Sequence, residues 1–217
     1  MTEAANKALR DLIAAGRPET NNLVPLLESG QAGPRVVGAL AAEQRHIVPG
    51  DQRALAALAG RSTGAVRELF QYVSDGDGAA FELLPALALG CGWTRAEFEA
   101  YEPSPGCMSY SAGLCWLSVN AEPAKAAIAL LSNFAEWGEY CSRVSSVLRE
   151  RHGLDATATA FLDFFGASNP ELDRLAAAAI QEGLDSGAIT DGDPEILRYA
   201  RLLRAYEHQF WNTLAGF

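Results

Sequence analysis

The stretch L-L-R-A-Y-E-H-Q-F-W, residues Leu202–Trp211, carries the pattern from which the rest of the chain is interpreted. At about 100° per residue along a helix, Leu203, Phe210 and Leu214 fall on one apolar stripe. Glu207 lies inside that stripe. A carboxylate on the buried face of a helix is costly unless it is paired or binds something, so Glu207 is the first candidate for a functional residue.

A second predicted helix, in the first quarter of the chain, repeats this arrangement. Val36, Leu40 and Ile47 share a face, and Glu43 occupies the remaining position of that row. His46 follows Glu43 at the i, i+3 spacing with which helical carboxylate–histidine pairs bind metal ions. Each glutamate is a functional carboxylate, the buried partner of an arginine, or an acceptor for a loop amide, and His46 is either a ligand or a core residue.

The composition limits the classes of protein to which the chain can belong. Its 217 residues are 49% hydrophobic and 20% charged, with a net charge of −10, which indicates a large core. This acidity argues against binding to nucleic acid or to an anionic membrane surface. No apolar run has the length of a membrane span, and residues 1–10 lack a signal pattern. The cysteines form no C-x-x-C pair, which predicts reduced thiols in a cytoplasmic protein; they are Cys91, Cys107, Cys115 and Cys141.

Alanine-rich segments with short linkers predict an all-α protein with a single domain over residues 1–217. V-P-G at 48–50 and D-G-D-G at 75–78 are interpreted as breaks, because proline and glycine disfavour helix interiors. The predicted helices cover residues 2–15, 23–28, 35–47, 52–58, 64–74, 81–89, 94–101, 108–119, 123–151, 157–165 and 170–186, and a last one starts at 194.

Aromatic residues at helical spacing suggest, with the two inward acids, a cavity lined by rings, although such residues more often belong to a core. They include Tyr110, Trp137, Phe165, Tyr206 and Phe210. On the helix around Trp137, Glu139 lies nearly opposite the apolar stripe. The side of that helix with Ala135, Gly138 and Ser142 is compatible with solvent, with close helix packing and with a cavity wall.

Three stretches resemble the thiaminase II (TenA)/PqqC-like family of the heme-oxygenase-like superfamily. They are A-A-E-Q-R-H-I-V-P-G-D-Q-R at 41–53, the segment 130–140 with Trp137 placed as in the family's L-L-P-C-x-W-x-Y, and the terminal Y-E-H-Q-F-W, which looks like E-x-x-F-W. The resemblance implies a heme-oxygenase-like helical bundle that binds a small molecule. It also implies a homo-oligomer, dimer or tetramer, and the apolar tail Leu214–Phe217, which is expected to be exposed, is compatible with a subunit contact.

The same resemblance implies roles for individual residues. Glu207 matches the carboxylate that works as acid or base on the heterocycle in thiaminase II, and the acid of the early helix corresponds to the Glu43–His46 region. Glu139 takes the place of a pocket tyrosine and is expected to face the pocket, while Phe165 takes the place of an aromatic hydroxyl. The nucleophilic cysteine falls at Ala135, so the usual cleavage of thiamin is not expected.

Some relatives with this fold are dinuclear iron oxygenases, which the pair Glu43-x-x-His46 resembles. Their H-x-x-x-D-x-x-H run would map to Phe165, Asn169 and Leu172, so those ligands are absent. A mononuclear iron site through Glu43, His46 and Glu139 is the alternative that remains. PqqC-type enzymes use a basic, histidine-rich pocket, from which this acidic chain with three histidines differs.

The leading hypothesis is a small-molecule-binding protein that needs no cofactor and whose acidic, aromatic pocket takes a nitrogen-containing or cationic ligand. As an enzyme it would be of a TenA/PqqC-like biosynthetic or salvage type. The alternatives are an iron-dependent oxidase and a non-catalytic regulatory or binding subunit. The predicted catalytic residues are Glu207 and Glu43, and the predicted substrate-binding residues are His46, Tyr110, Trp137, Glu139, Phe165, Tyr206 and Phe210.

Overall fold

The computed structural model describes residues 20–217, so the helix predicted over 2–15 lies outside the described residues. The described part of the chain contains ten helices and no strand. They are α1 (Leu23–Ser29), α2 (Arg35–Gly60), α3 (Gly64–Phe81), α4 (Leu84–Gly90), α5 (Arg95–Glu99), α6 (Pro105–Asn120), α7 (Pro123–His152), α8 (Ala156–Gly166), α9 (Pro170–Ser186) and α10 (Pro194–Leu214). The prediction of an all-α, single-domain fold is confirmed.

Several helices begin where local side-chain chemistry predicts. Thr94 and Glu97 form a capping box at the start of α5, in which each side chain accepts from the other's backbone N–H. Asn169 accepts a hydrogen bond from the backbone N–H of Leu172 at the start of α9. Asp193 does the same for the first turn of α10.

Two of the predicted breaks are wrong. Helix α2 continues through Pro49, although proline inside a helix costs about 3 kcal/mol. Helix α3 continues through the D-G-D-G segment 75–78, although each glycine costs about 1 kcal/mol relative to alanine. The two helices pack along each other, and this packing buries Leu55, Leu69 and Phe70. The burial of apolar surface between them outweighs the weak local preference for helix.

The core consists of two apolar clusters that share three long helices. One cluster contains the second half of α2 with α3, α6, α9 and the first halves of α7 and α10. The other contains the first half of α2 with α1, α4, α5, α8, the second halves of α7 and α10, and one buried residue each from the end of α3 (Ala80) and the start of α6 (Cys107). Helices α2, α7 and α10 therefore run from one cluster into the other. The candidate site lies where the two clusters meet, because its lining residues come from both.

The small-residue side of α7 is partly a close helix contact. A Cβ atom at Gly138 would lie 2.8 Å from the carbonyl oxygen of Phe165, and one at Gly166 would lie 3.1 Å from Ser142. Helix α8 can therefore approach α7 closely only because both positions are glycine. Ala135, on the same side, is exposed.

The C-terminal tail is more enclosed than the sequence predicts. Leu214 is buried, and Phe217 is 68% exposed but stacks on Trp93 with 6.3 Å between ring centroids. The expectation of an exposed apolar tail is therefore wrong for Leu214. Over residues 20–217, none of the helices combines the length and the apolar composition that a membrane span needs.

Candidate functional site

A cavity of about 520 Å³ lies at the meeting point of the two core clusters, a volume in the range of small-molecule sites. Its apolar lining comes from seven helices and consists of Ile47, Val48, Leu55, Val73, Leu114, Leu130, Phe134, Trp137, Phe164, Phe165, Leu172 and Phe210. Its polar lining consists of Gln44, Asp51, Tyr72, Asp75, Asp77, Tyr110, Asn133, Asn169 and Glu207. The charged side chains among these residues are all acidic.

Glu207 on α10 lies in the wall of this cavity and is 3% exposed. The side-chain amide of Asn133 donates a hydrogen bond to its Oε2 atom. The indole N–H of Trp211 donates to Oε1 over 3.2 Å. These two donors come from α7 and from the next turn of α10, so the carboxyl group has a fixed orientation.

The environment of Glu207 favours its protonated form. Burial, followed by the negative charge of Glu136, raises its pKa to about 8, although the hydrogen bonds from Asn133 and Trp211 act in the opposite direction. Glu207 is therefore mostly a neutral acid at pH 7. A carboxyl group whose pKa lies near neutral pH suits proton transfer to or from a bound molecule.

A charged cluster lies next to Glu207. Glu136 contacts the Nε2 atom of His208 at 3.3 Å and the Nε atom of Arg204 at 3.2 Å. The hydroxyl of Tyr140 donates to Glu136 over 2.9 Å. The hydrogen bond with Glu136, the largest cause, raises the pKa of His208. The negative charge of Glu136 also raises the pKa of Glu207.

Aromatic rings form much of the apolar wall, with Trp137 at their centre. Its ring centroid lies 5.8 Å from that of Phe165 and 5.9 Å from that of Phe210, both in edge-on arrangements. A further contact of 5.3 Å joins Trp137 to Trp211, which holds Glu207. Trp137, Phe165, Phe210 and Glu207 thus form one connected group, as the sequence predicted for their placement in a common cavity.

The acids of α2 and α3 were missed in the sequence. The predicted break at 48–50 leaves Asp51 outside the helices, between those over 35–47 and 52–58, and the predicted break at 75–78 contains Asp77. A signal was available for Asp51, because Gln44, Ile47, Asp51 and the following Leu55 keep the i, i+3, i+7, i+11 spacing of one face of a continuous helix. The assumed break at Pro49 concealed that spacing.

The two residues predicted at 43 and 46 lie outside the cavity lining. Glu43 accepts a hydrogen bond from the Tyr101 hydroxyl over 2.6 Å and another from the backbone N–H of Ser104 over 3.0 Å. The Nε2 atom of His46 lies 2.9 Å from the carbonyl oxygen of Tyr101. Both side chains therefore hold the connection between α5 and α6, because their face of α2 points towards that connection and away from the cavity.

Glu139 and Tyr206 also lie elsewhere. The prediction that Glu139 faces the pocket is wrong: its side chain is 67% exposed and lies 3.6 Å from Arg143, one turn along α7. Tyr206 packs against Gly113 and lines a separate depression beside Trp116. The helical wheel, which placed Glu139 opposite the apolar stripe, gave the better prediction than the motif.

The three residues of the alternative iron site do not come together. Glu43 and His46 contact the α5–α6 connection, whereas Glu139 lies on the solvent side of α7. Within residues 20–217, no three side chains of histidine, cysteine, aspartate or glutamate are grouped closely enough to hold a metal ion. The geometry therefore does not support the iron-dependent alternative.

The position opposite Glu207 on α7 is Asn133, not Ala135. Ala135 is exposed and lies outside the cavity lining, whereas Asn133, Phe134 and Trp137 face the cavity. On α7, the residue that contacts Glu207 is thus an asparagine, and the alanine two residues later lies on the exposed side of the helix. No thiol is available at either of these two positions of α7, and none of the four free cysteines lines the cavity. Cleavage of thiamin by a cysteine nucleophile is therefore not expected.

The sequence profile of the TENA/THI-4/PQQC family matches residues 22–214 of the chain. No curated protein matches it. A domain of unknown function with a heme oxygenase-like fold from Shewanella denitrificans superposes with a TM-score of 0.73 at 12% identity, over 99% of this chain and 90% of that chain. A TenA homolog from Pseudomonas syringae pv. tomato gives 0.72 at 11%, over 99% and 92%. A TenA family transcription regulator from a Silicibacter species gives 0.70 at 13%, over 97% and 92%. These likenesses show a heme-oxygenase-like fold.

Proposed function

Because the chain belongs to the TENA/THI-4/PQQC family, we propose that it binds a small nitrogen-containing, cationic molecule in the cavity and uses Glu207 as an acid or base on that molecule. One observation carries this proposal. A buried carboxyl group with a pKa of about 8 lies in the wall of an aromatic cavity and has a fixed orientation. A structural ion pair would instead hold the carboxyl group charged against a basic partner.

The chemistry follows from the protonation state of Glu207. A ligand that enters as a neutral amine can take the proton of Glu207, whereas a ligand that enters as an ammonium ion displaces that proton to solvent. Both routes leave a carboxylate beside a cation. Burial strengthens the attraction in that pair, since little water screens it. The donors Asn133 and Trp211 remain in place and stabilise the carboxylate that forms.

The lining of the cavity supports a cationic ligand. Aromatic faces attract cations, worth about 0.5–2 kcal/mol for each good contact. Asp51 and Asp77 add negative charge, and the described lining contains no lysine or arginine that would compensate it. A positively charged ligand would thus meet both aromatic rings and carboxyl groups, whereas an anion would find no basic side chain in the described lining.

A second candidate function is a binding or regulatory subunit without catalysis. It is supported by the lining, in which no cysteine is present to act as a nucleophile. Cleavage of thiamin is therefore not expected, whether the protein is an enzyme or a binding subunit. Assembly into a homodimer or homotetramer stays a prediction, which multi-angle light scattering of the purified protein tests.

Calorimetry with matched ligands tests the proposal. We expect 4-methylbenzylamine to bind, and its neutral isostere 4-methylbenzyl alcohol to bind at least about tenfold more weakly, a difference of about 1.4 kcal/mol. Glu207→Gln is expected to lower the affinity for the amine by a similar factor. The matched control is Glu139→Gln on the solvent side of α7, which should change nothing. Equal affinity for the amine and the alcohol would overturn the proposal.

A further inference from the structure

Asp51 is the most unusual polar group of the cavity. It is 8% exposed and lines the cavity from α2. Its Oδ1 atom is buried and accepts no hydrogen bond from any group that the structure describes. Native proteins seldom leave a buried carboxylate oxygen without a donor, because the loss of hydration costs about 1–3 kcal/mol or more. An atom of this kind, facing a cavity, is placed to accept from a ligand.

Asp77 on α3 is the neighbour of Asp51 across the cavity wall. The negative charge of Asp51 adds to burial in raising the pKa of Asp77 well above its usual range. Asp77 is part of the D-G-D-G segment that remains helical despite its poor helix formers. Local rules broken in this way are typical of functional positions, where the rest of the fold stabilises an unfavourable segment.

This pair of acids is distinct from Glu207. The electrostatic neighbour that raises the pKa of Glu207 is Glu136, on the α7 side. Asp51, Glu207 and Asp77 all raise the pKa of Tyr110, after the larger effect of burial. Tyr110 is therefore within electrostatic reach of both acidic groups, one on the α2–α3 wall and one on the α7–α10 wall.

We propose that Asp51 and Asp77 form a second cation-binding subsite, and that the ligand of this protein carries two basic nitrogen groups, one for this subsite and one for Glu207. The inference rests on the proposed function and names its ligand class. A primary ammonium group has three donors and no acceptor, so it can serve Asp51 Oδ1 and Asp77 together. The aromatic wall between the subsites fits an apolar or aromatic body that joins the two nitrogens.

The absence of protein cations from the lining strengthens this assignment. Among the described lining residues there is no lysine or arginine to neutralise the two aspartates. Two neighbouring, poorly hydrated carboxylates cannot both remain charged without a counter-ion, so in the empty cavity a proton is shared or gained instead. An ammonium group from the ligand would displace that proton to solvent and satisfy the Oδ1 atom of Asp51.

The experiment compares p-xylylenediamine with 4-methylbenzylamine, which has the same body and a single ammonium group. A longer pair, 4,4′-bis(aminomethyl)biphenyl and 4-aminomethyl-4′-methylbiphenyl, covers a wider spacing. Calorimetry on the intact protein is expected to show a diamine preference of at least about tenfold for one of the two lengths. Asp51→Asn and Glu207→Gln should each reduce that preference to within about twofold, because each removes one of the two charges. Thermal unfolding confirms that each variant is folded.

The control is Glu82→Gln, which changes an exposed acid at the end of α3, outside the cavity lining, and should leave the preference within about twofold of wild type. An equal loss in Glu82→Gln would overturn the subsite in favour of diffuse charge attraction. If the monoamines bind and depend on Glu207, but the diamines of both lengths gain nothing, the inference fails while the proposed function stands. If no amine binds, both fail. Retention of the diamine preference in Asp51→Asn would also reject the subsite.

Discussion

Glu43 and Glu207 occupy the same kind of position in sequence and different kinds of environment in the structure. Both replace an apolar residue in the buried row of a long helix, and they are 0% and 3% exposed. Glu43 accepts hydrogen bonds from the Tyr101 hydroxyl and the Ser104 backbone, which belong to the α5–α6 connection. Glu207 lies in a cavity wall, where burial raises its pKa to about 8.

The comparison shows that burial of an acid does not by itself identify a functional site. A buried carboxylate whose acceptors are used by loop donors stabilises the local fold. A buried carboxyl group that also borders an open volume can exchange a proton with whatever enters that volume. The distinction lies in the neighbours, which come from distant parts of the chain, and four experiments test it.

The pH dependence of stability gives the largest expected difference. The folded-state pKa of Glu207 is about 8, above its ordinary value of 4.5. Between these values the folded protein binds more protons than the unfolded chain, so stability is present below pH 4.5 and is lost as pH rises through 8. Urea unfolding should show wild type losing on the order of 4 kcal/mol more than Glu207→Gln between pH 5 and pH 9. Parallel curves for the two proteins would contradict the raised pKa.

Removal of the Glu43 carboxylate should lower the free energy of unfolding at every pH. Glu43→Ala leaves the Tyr101 hydroxyl and the Ser104 N–H without an acceptor, which should cost about 3 kcal/mol of unfolding free energy. The affinity for 4-methylbenzylamine should stay within about twofold of wild type. Tyr101→Phe removes one of the two donors and should cost about 1 kcal/mol. A variant of normal stability with lost ligand affinity would assign Glu43 to the site.

The sequence was sufficient for much of the fold. Helix starts such as Thr94, Asn169 and Asp193 are decided by side chains within one turn, so local rules predict them. The continuity of α2 and α3 was not predictable in this way, because packing between distant segments overrides the preferences of Pro49 and of the D-G-D-G segment. The position of Glu207 on the buried face was predictable from the terminal Y-E-H-Q-F-W motif, because it depends only on the helical periodicity of α10.

The candidate site was predictable only in part. Trp137, Phe165 and Phe210 were placed correctly, since large rings on the apolar stripes of neighbouring helices meet in the interior. The aspartates at 51 and 77 were missed because both depend on helices that local rules interrupt. Glu139 was misplaced because its orientation was inferred from a motif aligned on Trp137 alone. Which residues of α7 face the cavity depends instead on how that helix packs against α8 and α10.

The orientation of α7 at the cavity is open to a chemical test. In a Cys115→Ser background, which removes the exposed native thiol, cysteine is introduced by Ala135→Cys or by Asn133→Cys. Ala135 is exposed and Asn133 is buried beside Glu207, so the thiol at 135 should react at least about tenfold faster with a water-soluble disulfide reagent. Saturating 4-methylbenzylamine should slow only the thiol at 133. Protection of the thiol at 135 by the amine would instead place residue 135, and not residue 133, in the cavity wall.

The smallest expected effect separates the cavity acid from the charge that adjusts it. Glu136 raises the pKa of Glu207, and through its hydrogen bond it also raises the pKa of His208. Glu136→Gln removes the repulsion, which lowers the pKa of Glu207, but it also favours neutral His208, whose positive charge had lowered that pKa. The two changes oppose each other, so the net decrease should be about half a pH unit, or about 0.7 kcal/mol.

The quantity to measure is the midpoint of the folded-state titration of Glu207, read as the upper pH at which the stabilities of wild type and Glu207→Gln stop diverging, and determined again with Glu136→Gln in both proteins. The midpoint should move to lower pH. Tyr140→Phe is the matched control, because it removes a hydrogen bond to Glu136 and keeps the negative charge. Its midpoint should stay within about a quarter of a unit of wild type. A midpoint that rises in Glu136→Gln would mean that His208, and not Glu136, dominates the electrostatic field at Glu207.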